Sequence, residues 1–173
     1  MAEPAESYRF SPPDGNVDSA GLYIHVPFCS CVCPYCDFAV TTGGRDKQHR
    51  FTEHLLREID FCSEEPWSFD TVYLGGGTPS RLPMEGIQRI VESVTRTFGT
   101  AEDLGMSLEV NPEDVSVEKL HLWRALGFQF ISLGVQSFRK ENLQFLGRRH
   151  SPAEAQRAVE RASEAGFPTV SLD

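Results

Sequence analysis

Residues 21–38 read GLYIHVPFCSCVCPYCDF, and this stretch decides the fold. It starts as a short apolar strand, Leu22–Val26, and runs into a loop carrying four cysteines. Three of them, Cys29, Cys33 and Cys36, are spaced C-x3-C-x2-C. A four-cysteine zinc site normally shows two separated pairs. Here three thiols fall within eight residues, and beyond the loop only Cys62 remains, inside a helical pattern. Three close thiolates on a tight loop suit an iron–sulfur cube, which cysteine thiolates hold. Three protein ligands would leave one iron open to a ligand from outside the protein. A zinc site, or simply buried thiols, is the alternative. Cys31, between two of the expected ligands, reads as a small non-ligand residue, with a replacement ligand as its alternative.

Outward from the loop the chain alternates between helix and strand. Asp46–Cys62 puts Phe51, Leu55, Leu56 and Ile59 at helical spacing, with Cys62 as a packing residue. Thr71–Leu74 reads as a strand followed by Gly75-Gly76-Gly77-Thr78-Pro79. Met84–Phe98 is a helix, Ser107–Val110 a strand ended by Asn111-Pro112, and Val117–Leu126 a helix closed by Gly127. Phe130–Val135 is a strand and Glu141–Leu146 a short helix. Ser151-Pro152 caps the helix Ala153–Ala165, and Thr169–Leu172 begins a fifth strand. Such alternation implies an α/β fold with a parallel sheet, curled by right-handed crossovers. A complete eight-unit barrel takes about 250 residues, so a chain of 173 with five such units is expected to form a partial, incomplete (β/α) barrel. Its last strand would be an open edge, which fits a truncated or partial sequence.

Composition narrows the function. A hydrophobic content of 40% supports a globular core, and a formal net charge of −9 argues against a nucleic-acid partner. No apolar run has the ~18 residues a transmembrane helix needs. Met1–Ala20 is rich in Pro, Ser, Gly and acidic groups and reads as a flexible tail without a secretory or mitochondrial leader. Five cysteines without an export signal point to a reducing compartment, the cytoplasm, and to metal rather than disulfides. The glycine run matches neither phosphate-loop nor dinucleotide motif, and by itself is equally a plain turn. His25, His49, His54, His121 and His150 show no ligand spacing and read as structural or exposed; Trp67 and Trp123 read as packing.

C-x3-C-x2-C with an aromatic, Tyr35, before the third cysteine resembles the signature of the radical S-adenosylmethionine (radical SAM) enzymes. The longer string YIHVPFC…CPYCDF resembles more narrowly the HemN/HemW family of oxygen-independent coproporphyrinogen III oxidases and related haem chaperones. The resemblance runs from about Gly21 to Asp173. It implies a radical SAM core domain over 21–173, part of a six-unit partial barrel whose last unit, and the domain after it, are missing here. It also implies a [4Fe-4S] cluster on Cys29, Cys33 and Cys36, with S-adenosylmethionine on the open iron. One electron would split that cofactor into methionine and a 5′-deoxyadenosyl radical. Cofactor contacts are implied for Gly76, Gly77 and Thr78, and for Tyr23 and Tyr35. At the C-terminal ends of strands and the loops after them, where parallel barrels place their chemistry, Glu109, Gln136, Arg148 and Asp173 join the set. Glu109 or Asp173 would accept from ribose hydroxyls, and Arg148 would pair with the methionine carboxylate.

Within the family, the oxidases carry a fourth cysteine where this chain has Phe38, and a longer arm ahead of the barrel. Both departures favour the chaperone type. Haem or a porphyrinogen, and an electron donor such as flavodoxin or ferredoxin, are the implied partners. The chaperones' haem-binding region belongs to the part not present. Oxidative decarboxylation of a porphyrinogen by an oxidase, and a zinc-binding structural fragment, are the other readings.

Overall fold

A computed structural model describes residues 20–64 and 68–173. The flexible tail expected before Ala20 and the packing role of Trp67 fall outside those residues. The strands are β1 Ala20–Val26, β2 Phe28–Cys29, β3 Thr41–Thr42, β4 Ser68–Gly76, β5 Gly99–Val110, β6 Phe130–Leu133 and β7 Thr169–Leu172. The helices are α1 Arg45–Phe61, α2 Met84–Thr97, α3 Val117–Ala125, α4 Lys140–Phe145 and α5 Pro152–Glu164. Five strands form one sheet in the order β1-β4-β5-β6-β7, and every neighbouring pair is parallel. This is the expected partial (β/α) barrel.

The strands alternate, and the two sheet faces differ in chemistry as a result. Ile24, Val26, Val72, Leu74, Met106, Leu108, Val110, Ile131 and Leu133 point to one face and are buried. They pack with Ile59 of α1, Ile87 and Ile90 of α2, Leu120 and Trp123 of α3 and Ala155, Ala158 and Ala162 of α5 in one core. Trp123 is fully buried there, as expected of a packing residue. A sheet covered on both sides reads as continuous apolar runs. Here Tyr23, His25, Tyr73, Ser107, Glu109 and Ser132 lie on the opposite, concave face and stay open or half-open.

Helix ends follow the sequence. Ser151 and Glu154 form a reciprocal capping box with Pro152 in the first turn. Gly127 adopts φ +98° after α3, the left-handed turn that closes a helix at low cost when no Cβ is present. Three strands are longer than expected: β1 starts at Ala20 rather than Leu22. β4 extends beyond Thr71–Leu74 in both directions, and β5 starts at Gly99 rather than Ser107. The early part of β5, GTAED, has no strand periodicity. Its pairing with β4 (Ser68 with Gly99, Phe69 with Thr100) and the edge-on contact of Phe69 with Phe98 at 5.1 Å hold it. Cys62 opens a 3-10 turn after α1 rather than ending the helix, and is half-buried. Among the described residues, no helix is long and apolar enough to cross a membrane.

Candidate functional site

The cysteine loop is closed at its base. β2 and β3 pair as a two-stranded parallel ribbon, and Thr41 N–H donates to Pro27 O at 2.8 Å. Phe28 is buried and meets Phe51 of α1 edge-on at 5.4 Å, so the ribbon is anchored in the core. His25 Nε2 lies 2.8 Å from Ala39 O and ties the returning arm of the loop to β1. A single turn, Cys36 N–H to Cys33 O at 3.0 Å, bends the chain between two cysteines.

The loop overhangs the C-terminal strand ends, and together they enclose a cavity of about 350 Å³. Cys29, Cys33 and Cys36 all line it, as do Tyr35, Gly76, Gly77, Thr78, Glu109, Gln136, Arg148 and Asp173. Every expected site residue except Tyr23 is therefore on one wall or another. Tyr23 stands behind that wall on the concave face, where its ring stacks on Tyr73 and its hydroxyl lies 3.0 Å from His25 Nδ1. Cys31 and Phe38 also line the cavity. Among the described residues, no three or more His, Cys, Asp or Glu side chains are placed close enough together to hold a metal ion, so the three cysteines share the cavity without forming a ready ligand set. Burial pushes the Cys29 thiol above its usual range. The Thr78 hydroxyl, 3.5 Å from Cys29 Sγ, opposes this, and the neighbouring cysteines add to it.

The glycine run is packed tightly. Gly76 has φ +111°, and a Cβ there would meet the His25 ring at 2.6 Å. A Cβ on Gly77 would meet Pro27 C at 2.8 Å, so the run has to be bare for the cysteine ribbon to lie against it. Its amides are used internally: Gly77 N–H donates to Val26 O at 2.8 Å, and Gly76 N–H to Glu109 Oε2 at 2.9 Å. Glu109 Oε1 accepts from the Tyr73 hydroxyl at 2.7 Å. Burial, that hydrogen bond and the Glu109 charge push the Tyr73 phenol far up. Burial, then the same carboxylate, also raises Tyr23.

The opposite rim is bonded into a frame. Arg148 Nη2 donates to Asn111 Oδ1 at 2.8 Å and to Gly134 O at 2.6 Å, joining the ends of β5 and β6. Its Nη1 reaches Tyr35 Oη at 3.5 Å and Cys33 Sγ at 3.9 Å, so the guanidinium bridges the rim and the cysteine loop. Burial raises the Tyr35 phenol, and the Arg148 charge opposes that rise. Gln136 has φ +63°, the one non-glycine residue with positive φ among those described. Its N–H donates to Asp173 O at 2.6 Å. A strained residue on a cavity wall points to function. Asp173 Oδ1 accepts from Ser132 Oγ at 3.4 Å.

Several members of this frame have no signal in the sequence. Asn111 looked like part of a strand-ending Asn-Pro turn, and its place just after a parallel strand's C-terminus was the available clue. His150 is buried, with Nε2 3.0 Å from Val135 O and Nδ1 3.4 Å from Glu113 Oε2. Burial alone would raise the Glu113 carboxyl. The His150 contact, its own backbone N–H and the charges of Arg148 and His150 outweigh that and hold it below the ordinary range.

The radical SAM superfamily model matches residues 23–172. Among curated proteins, the chain is 37% identical over 155 residues to the heme chaperone HemW of Escherichia coli (strain K12), covering 88% of this chain and 41% of that protein. To the heme chaperone HemW of Mycobacterium tuberculosis (strain H37Rv) it is 38% identical over 158 residues, covering 88% and 40%. The chain thus spans about two fifths of the curated relatives it matches. Among solved structures, the E. coli coproporphyrinogen III oxidase HemN, a radical SAM enzyme, superposes with a TM-score of 0.83 at 28% identity, over 88% of this chain and 36% of that one. The matched span takes in the cysteine loop, all five helices and nearly the whole sheet: the chain belongs to the radical SAM superfamily.

Proposed function

We propose that this chain is the core of a HemW-type radical SAM protein, holding a [4Fe-4S] cluster and S-adenosylmethionine in the cavity and serving haem delivery. One observation carries the cofactor reading. Three thiols on a single loop share a cavity with a bare glycine run and with the polar rim of parallel strand ends. When bound, the cluster supplies one electron to cleave the sulfur–carbon bond of S-adenosylmethionine.

The chain's own residues have distinct tasks. Cys29, Cys33 and Cys36 bind as thiolates; because burial raises Cys29, metal rather than solvent must drive off its proton. Gly76 and Gly77 spend their N–H groups inside the fold, so an incoming ammonium group meets carbonyl oxygen there, with the Thr78 hydroxyl beside it. Arg148 keeps Nη1, with only long contacts, for a carboxylate. Asp173 offers oxygens to ribose hydroxyls, and Glu109, whose two oxygens already accept from Tyr73 and Gly76, has only its remaining lone pairs to offer. Gln136 and Tyr35 close the wall, and Tyr23 supports it from behind through His25.

The chaperone type is favoured over the oxidase by the relatives at 37% and 38% identity and by Phe38, which lines the cavity where the oxidases carry a fourth cysteine. On this reading haem is the cargo, flavodoxin or ferredoxin the electron donor, and the cytoplasm the compartment. Anaerobic reconstitution of the chain tests the cofactor reading: four irons and four sulfides per chain are expected, with a spectrum altered by S-adenosylmethionine. Zinc without sulfide, or a spectrum unchanged after Cys29, Cys33 and Cys36 are all replaced by Ala, would refute it. Haem transfer to an acceptor protein, without vinyl product from coproporphyrinogen III, separates chaperone from oxidase. Fractionation of cells tests the compartment.

A further inference from the structure

We infer that a second recess, between the start of α1 and the turns after β4 and β5, binds a phosphate group. It measures about 320 Å³ and is lined by Gly43, Gly44, Arg45, Gln48, Arg81, Asp114 and Lys119, none of which lines the cofactor cavity. Four features of different origin meet there.

The first is the open end of α1. Gly44 is the N-cap and brings no side chain, so the start of a 17-residue helix borders the recess without a capping oxygen, although Lys47 and Gln48 N–H already donate to Gly44 O at 3.1 and 3.2 Å. The second is Gln48, one turn in. It is 5% exposed, and its amide makes no hydrogen bond to any described residue. The amide is not sealed off from solvent, so it stays available to a ligand in the recess. The third is Arg81, whose Nε is buried without a partner and whose Nη1 stands 3.7 Å from Asp114 Oδ1. The fourth is Lys119, which gives one donor to Ser80 O at 2.9 Å and keeps two.

Charge favours an anion. Arg45, Arg81 and Lys119 come from three separate elements of a chain whose net charge is −9. Asp114 is the carboxylate on the wall, and its Oδ2 is occupied by the Ser80 hydroxyl at 2.9 Å. Asp46, in the first turn of α1, is exposed and does not line the recess. Donors approach from the helix end, the Gln48 amide and cations on opposite walls. Such a spread suits a tetrahedral oxyanion with several acceptors better than a planar carboxylate. The recess also leaves room for the organic part of a phosphate ester.

Titration of the 173-residue chain with inorganic phosphate, ribose 5-phosphate and acetate at constant ionic strength tests this, read by calorimetry and by amide shifts of Gly43, Gly44 and the Gln48 side chain. Both phosphates are expected to bind and move those signals, with acetate about tenfold weaker or worse. Gln48→Ala should weaken phosphate about fivefold and Lys119→Met about tenfold. Arg45→Gln, at an exposed position that leaves the fold untouched, should weaken it about threefold. Stronger binding of ribose 5-phosphate than of inorganic phosphate would assign the site to an ester. Acetate equal to phosphate would overturn the proposal in favour of an acidic side chain of a partner. Unchanged affinity in Arg45→Gln and Lys119→Met, or shifts reproduced by chloride, would also overturn it.

Discussion

The cavity has two walls made in opposite ways. The cysteine loop from Cys29 to Val40 contains no fully buried residue, and one backbone turn is its main internal bond. The rim facing it, from Asn111 through Gly134–Gln136 to His150, is cross-linked by short hydrogen bonds among groups from β5, β6 and the loops that follow. The rim is held in shape by the protein alone. The loop is held at its base and by the long contacts of Arg148, and its middle has no comparable bonding among the described residues. The difference shows where preorganisation is needed. An organic cofactor is positioned by fixed polar groups, whereas an inorganic group with three covalent ligands imposes its own geometry on a compliant loop.

That contrast can be broken or sharpened by measurement. Replacing His150 with Leu should cost the most, because it strips a partner from Glu113 and from Val135 O inside the rim. About 2–3 kcal/mol is expected, below the ~3–5 of a sealed ion pair because Glu113 keeps some contact with water. Urea unfolding of the metal-free chain measures it, and a loss under ~0.5 kcal/mol would show that the rim is no more rigid than the loop. Acid should act on the same bond. Glu113 is held below its ordinary value when folded, so its contribution is intact above the unfolded carboxyl value near ~4.3 and fades as pH falls through the lower folded value. Glu113→Gln should therefore flatten the decline of stability below pH ~4.3. Gln136→Gly should relieve the backbone strain at φ +63° and stabilise the chain by about 1 kcal/mol, while weakening S-adenosylmethionine binding. Equilibrium dialysis and thermal melting, run together, separate the two effects. Cys33→Ala should be the mildest change in the metal-free chain, within ~0.5 kcal/mol, since the loop around it is unburied. The same variant should lose its iron on reconstitution.

The fold was legible because its signals are local. Apolar residues recur at helical spacing in α1 and α2, Ser151-Pro152 opens α5, and Gly127 closes α3, each by chemistry confined to one turn. The start of β5 was not, because Gly99 and Thr100 are strand by pairing with β4 and not by their own preference, and the register shifts before Gly105. In the site, the cysteine spacing and the glycine run stood out because each is contiguous. Asn111, Glu113 and His150 come together only through the crossing of separate units, and an isolated His or Asn carries no mark of what it will face. Even Glu109, singled out as a strand-end carboxylate, turns out to have both oxygens already bonded, to Tyr73 and Gly76.

The bond between Arg148 and Cys33 spans 115 residues of chain. During synthesis at about 5–20 residues per second, the sulfur leaves the ribosome roughly 6–23 s before the guanidinium that will steady it. For that interval the nascent loop has no Arg148 to hold it. If the loop takes iron as proposed, iron delivered early would meet thiols that Arg148 does not yet touch, and iron delivered late would meet them with the guanidinium beside Cys33.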